Sequence, residues 1–147
     1  MAQQSFQFRK LREQGLQPDL TDKVAVLLYF ALHSKKRPIT GYLLRIQEAL
    51  RDLHNTYDLL YGIRREKQEF FEAARTSFCL LIKSDYFKWG RARYTDLHDV
   101  VSNSPTLEIT AKGELAIPHT ILPRFSKPKQ RELGEQAREL YHQLRVF

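Results

Sequence analysis

Nine consecutive residues, Val24 to Leu32, are apolar. Wound into a helix, such a run is apolar on every face and must be walled in by other elements. It falls far short of the ~20 residues that cross a bilayer. A central, enclosed helix is therefore the first constraint on the fold. Leu20 precedes Thr21 and Asp22, either of which can accept a bond from a free backbone N–H at the helix start. Near His33 the run gives way to Ser34-Lys35-Lys36-Arg37-Pro38, a stop whose cations suit the negative end of a helix dipole.

Amphipathic stretches supply the walls. After Thr40, a second plausible N-cap, Leu43, Ile46, Leu50, Leu53, Tyr57 and Leu60 recur at spacings of three and four, with Leu44 and Tyr61 widening the stripe. Gly62 marks an end or a kink. Phe70, Phe71, Ala74, Phe78, Leu81 and Ile82 then predict a third helix from about Arg65 to Trp89, antiparallel to the second. From Gly90 to Phe125 the helical period fails. A helical turn is expected from Thr95 to Val101, a break at Ser102-Asn103-Ser104-Pro105, and a small hairpin from the alternation of Leu107, Ile109, Leu115 and Ile117 around Lys112-Gly113. Pro118 and Pro123 predict an irregular path. Ser126 and Pro128 open a last helix with Leu133, Ala137, Leu140, Tyr141 and Leu144 on its stripe. The reading is a mainly α class: a bundle of four to five helices with a small β-hairpin or irregular insertion near residues 106–118. One domain spans residues 1–147, with 1–18 as an extended or flexible arm.

Charge narrows the partners. Lys and Arg outnumber Asp and Glu by 24 to 17, and the excess gathers between the apolar stretches. Arg9, Lys10 and Arg12 form one cluster; Lys35, Lys36 and Arg37, then Arg64, Arg65 and Lys67, then Lys88, Arg91 and Arg93 around Trp89 form the others. Cations at helix junctions fit a phosphate backbone, so the last three clusters with Trp89 are the candidate nucleic-acid-binding set. Tyr86, Phe87, Trp89 and Tyr94 interleave with Lys83, Lys88, Arg91 and Arg93, a mixture that can stack bases while holding phosphates; alternatively Phe87 and Trp89 plug the end of the bundle.

Other chemistry is poorly served. Cys79 is the single cysteine, which excludes an internal disulfide and a cysteine-based zinc site and points to a reducing, cytoplasmic setting. Met1 to Lys10 lacks the apolar core of a secretory signal, and no membrane role is expected. No GxGxxG or P-loop pattern appears, and no two histidines stand at the i, i+4 spacing of a helical metal pair. His33, His54 and His142 read as packed or half-exposed helix residues, and His119 as a loop residue. Asp96 with Asp99, and Glu66 with Glu69, read as helix-stabilising carboxylates. Neither a metal nor another cofactor is expected, and no catalytic set is assigned.

The helical framework of Asp19 to Trp89 and Lys127 to Phe147, with its basic junctions Lys35-Lys36-Arg37, Arg64-Arg65 and Lys88 to Arg93, resembles the small subunits of type I CRISPR Cascade effector complexes. That resemblance implies a non-enzymatic subunit, present in several copies among other protein subunits, holding target or displaced DNA beside a guide RNA by phosphate contacts. The Leu107 to Ile117 hairpin departs from an all-helical subunit. Two alternatives stay open. In one, Thr106 to Ile117 is the wing of a winged-helix DNA-binding regulator, although no tight helix-turn-helix stands just before it. In the other, Arg93 and His98, at the Arg-x4-His spacing, resemble the site of HEPN helical ribonucleases, with Tyr94 where that family usually carries a polar residue.

Overall fold

The computed structural model describes residues 20–33, 38–57, 67–95 and 101–146. Helix α1 (Leu20–Leu32) is the enclosed helix: Val24 to Tyr29, Ala31 and Leu32 are all buried, and Phe30 is the one residue of the run left half-exposed. Thr21 and Asp22 lie inside its first turn, so their side chains tie α1 to its neighbours. The Thr21 and Ser77 hydroxyls meet at 3.0 Å, and Arg124 donates to the buried Asp22 carboxylate at 2.8 Å.

The neighbours follow from the stripes. Strand β1 (Ile39–Thr40) leads into α2 (Leu43–Tyr57), where the Tyr42 N–H donates to the Thr40 hydroxyl just ahead of the first turn. Ile46, Ala49, Leu50 and Leu53 are buried, whereas Leu44, expected to widen the stripe, faces solvent. Helix α3 (Lys67–Lys83) buries Phe70, Ala74, Phe78 and Leu81. Of the helix histidines only His54 is packed: it is fully buried and stacks on Phe70 at 5.0 Å, whereas His33 and His142 are exposed, His33 stacking on Tyr29 at 4.9 Å and meeting Glu114 at 2.7 Å.

Beyond α3 the elements are not where the periodicity puts them. The helix stops at Lys83 because the Asp85 N–H bonds to the Ile82 carbonyl and the Tyr86 N–H to the Leu81 carbonyl, a Schellman closure with Asp85 in the left-handed region at φ 63°. Glycine usually fills that position, and aspartate tolerates it. Phe87 to Trp89 thus belong to a strand and not to the end of a helix. Strand β2 (Phe87–Thr95) pairs antiparallel with β3 (Val101–Ile109) from Phe87 opposite Ile109 to Thr95 opposite Val101, and β3 pairs with β1 to give the order β1-β3-β2. Thr95 and Val101 are therefore strand residues, not the ends of a helical turn.

The hairpin also displaces the expected Leu107 to Ile117 pairing. Residues Ala111–Ala116 form α4, capped by Thr110, whose hydroxyl accepts from the Gly113 N–H at 3.0 Å and donates to the Asp85 carbonyl. A Cβ on Gly113 would lie 2.2 Å from the Tyr86 carbonyl oxygen, so only glycine lets α4 seat against the α3 closure. A π-helical turn (Ile117–Ile121) and a 3-10 turn (Leu122–Arg124) carry the chain past both prolines. Helix α5 (Lys127–Leu144) opens as expected, with the Ser126 hydroxyl accepting from the Lys129 N–H at 3.3 Å, and buries Leu133, Ala137, Leu140 and Leu144. The fold class is thus mainly helical, five α-helices among the described residues with a small three-stranded antiparallel sheet.

Candidate nucleic-acid interface

Side chains directly opposite on antiparallel strands share a face, and the face alternates along each strand. One face of the hairpin therefore carries Phe87, Trp89, Arg91 and Arg93 on β2 against Ile109, Leu107, Pro105 and Asn103 on β3. Burial falls along that row. Phe87 and Leu107 are fully enclosed, Trp89 is 46% exposed, and Arg91 and Arg93 are exposed. The strand is anchored in the core at its first residue and leaves the body as it runs, so the positions that face inward at Phe87 face solvent at Arg91.

The other face carries Lys88, Gly90 and Ala92 against Glu108, Thr106 and Ser104. A Cβ on Gly90 would come 1.6 Å from a Glu108 carboxylate oxygen, so the glycine leaves room for Glu108 to lie across the strand. The only acid on the described hairpin thus sits on the face away from Arg91 and Arg93. Among the described residues, none of Lys88, Arg91 and Arg93 takes part in an ion pair and no strand covers the outer edge of β2.

The candidate set is brought together only in part. Lys88, Trp89, Arg91 and Arg93 share one strand, with the tryptophan and both arginines on one face. The alternative that Phe87 and Trp89 together plug the bundle holds for Phe87 alone. Lys35, Lys36, Arg37, Arg64 and Arg65 lie outside the described residues, as does the side chain of Lys67, although its backbone opens α3. His98, Asp96, Asp99 and Glu66 also fall outside them. Tyr86 is half-buried and carries the Lys112 ammonium 5.8 Å from its ring centre.

Helix α3 comes just before the hairpin and exposes Gln68, Glu69, Glu72, Arg75, Thr76, Cys79 and Lys83. Its charge is mixed. A shallow groove of about 370 Å³ runs between α2 and α3, lined by Gln47, Gln68, Phe71, Glu72 and Arg75; the Gln47 amide is committed to the Phe71 carbonyl at 2.9 Å. No cluster of three or more His, Cys, Asp or Glu side chains suited to a metal occurs among the described residues, and none of their helices is long and apolar enough to cross a membrane.

Protein-family models, curated proteins and solved structures were compared with the chain, and none matches it. The site rests on its own geometry.

Proposed function

We propose that the chain is a nucleic-acid-binding protein with no reaction of its own, and that the β2–β3 hairpin lays Arg91 and Arg93 along a phosphate backbone. The observation that carries this reading is the row Trp89, Arg91, Arg93 on one exposed hairpin face, anchored at Phe87 and, among the described residues, unopposed by acid on that face. An arginine fork matches phosphate oxygens in pairs, and an exposed indole beside it can stack on a sugar or base. Helix α2, helix α3 and an antiparallel hairpin in succession, with sheet order β1-β3-β2, resemble the arrangement of a winged-helix domain and support duplex DNA as the target. The wing in this reading is Phe87 to Ile109, beginning a few residues after α3 ends. Glu69 and Glu72 make α3 a poor partner for phosphates, which leaves backbone contact to the hairpin.

A second reading keeps the same chemistry in another setting. Arginines directed at phosphates carry no base code, which also suits a small subunit of a Cascade-type complex holding target or displaced DNA beside guide RNA. Binding of labelled duplex, single-stranded DNA and RNA of matched length, titrated against salt, separates the two. Preference for duplex supports the winged-helix form, and preference for single strands without sequence bias supports the Cascade form. No binding to any of the three overturns both. Labelled RNA is expected to stay intact throughout; cleavage abolished by His98→Ala would instead favour the ribonuclease.

A further inference from the structure

Helix α5 carries a second cationic surface. Lys127, Arg131, Gly134 and Arg138 recur at steps of four, three and four, which places them along one flank of the helix. That flank and Phe30 of α1 line a groove of about 520 Å³, in which Glu135 is the single acid among the described residues. Phe30 is the residue of the central apolar run that the body leaves half-exposed. The three cations are in no ion pair among the described residues. Gln130, also in the groove, is committed to the fold, its amide donating to the Leu122 and Phe125 carbonyls at 3.0 Å each. At Gly134 nothing lies within 4 Å of where a Cβ would stand, so the groove is open at its centre.

The surface is separate from the hairpin. Helix α5 packs on α1, α2 and β1, whereas Lys88, Arg91 and Arg93 stand on a strand that packs on β3 and α3. From Lys127 to Arg138 the helix rises about 16 Å, enough to follow one phosphate backbone over about five base pairs. Three unpaired cations at that spacing, with one acid among them, complement a polyanion better than another copy of this basic chain.

We infer that this flank of α5 is a second phosphate-binding face, so that one chain holds two duplex segments at once. The inference rests on the hairpin reading above. Its test mixes the full chain with short duplexes labelled separately with donor and acceptor dyes, and reads energy transfer between duplexes alongside single-duplex affinity. Wild type is expected to give transfer. The exposed double change Arg131→Glu with Arg138→Glu is expected to abolish it while single-duplex affinity stays within about twofold, with helicity checked by circular dichroism. Transfer that survives in this variant overturns the inference. So does wild type that binds one duplex without transfer, a result that leaves the hairpin reading standing, while failure to bind any duplex overturns both. A polyglutamate peptide that binds wild type more tightly than duplex does, and loses that binding in the variant, overturns it in favour of an acidic protein partner.

Discussion

The helical body and the outer half of the hairpin put their side chains to opposite uses. In the body, Leu27, Leu50, Phe70 and Leu140 are shut away from water, and fully burying one such side chain contributes about 1.5–3 kcal/mol. On the hairpin, the row that begins with buried Phe87 continues as Trp89, Arg91 and Arg93 into solvent. Little of the core's energy depends on those three. A region whose side chains contribute little to stability is free to carry charge for a partner, and the contrast predicts that stability and binding can be altered separately.

Mutations sort along that contrast. Phe87→Ala, at the point where the hairpin enters the core, should cost about 3–5 kcal/mol, and Leu50→Ala or Leu53→Ala about 2–5 kcal/mol, measured by denaturant unfolding. Near-neutral values would mean that the body is not packed as described. Arg91→Glu with Arg93→Glu should weaken duplex binding by at least about tenfold, about 1.4 kcal/mol, while unfolding shifts by no more than about 0.5 kcal/mol. Loss of stability on the scale of Leu50→Ala would erase the distinction between the two regions. Asp85→Gly, at the left-handed closure of α3, should raise stability by about 0.5–1 kcal/mol and leave binding alone; a loss would show that the aspartate side chain contributes more than its strained backbone costs.

The smallest effect lies in the alkaline limb. Tyr57 donates to the Glu139 carboxylate at 2.8 Å, joining α2 to α5, and that bond pushes its phenol above the ordinary value of 10.0. Burial, with Glu114 nearby, pushes Tyr29 the same way. A raised phenol favours the neutral form in the folded state, so this contribution is fully present below pH 10.0 and fades as pH rises through the folded values. Tyr57→Phe should flatten that fall slightly in thermal melts run across the alkaline range; an unchanged profile would show that the bond adds nothing.

The body was legible in the sequence because a packed helix writes its burial as a period of three and four. Val24 to Leu32, the Ile46 to Leu53 stripe and the Ser126 start of α5 are found where that period places them. The hairpin was misplaced for physical reasons. Tyr86 and Trp89 continue the steps of four and three begun by Phe78 and Ile82, and the signal that stops α3 is an aspartate in a position where glycine is the usual mark. Arg91 and Arg93 then break the apolar alternation of β2, because the strand leaves the core where they begin. In the other direction, Leu115 and Ile117 alternate like a strand, yet Thr110 and Gly113 seat a helix there. The clustered cations Lys88, Arg91 and Arg93 were visible as a run, and their shared strand was not. Lys127, Arg131 and Arg138 were missed because a surface helix spaces its cations three and four apart instead of clustering them.

The exposed hairpin arginines are proposed to hold a phosphate backbone. The most direct test of that contact is the slope of log affinity against log salt for duplex DNA, measured for wild type and for Arg91→Glu with Arg93→Glu. Each phosphate contact contributes about 0.9 to that slope, so the variant should be shallower by about 2. Equal slopes, with equal affinities, would mean that Arg91 and Arg93 touch no phosphate.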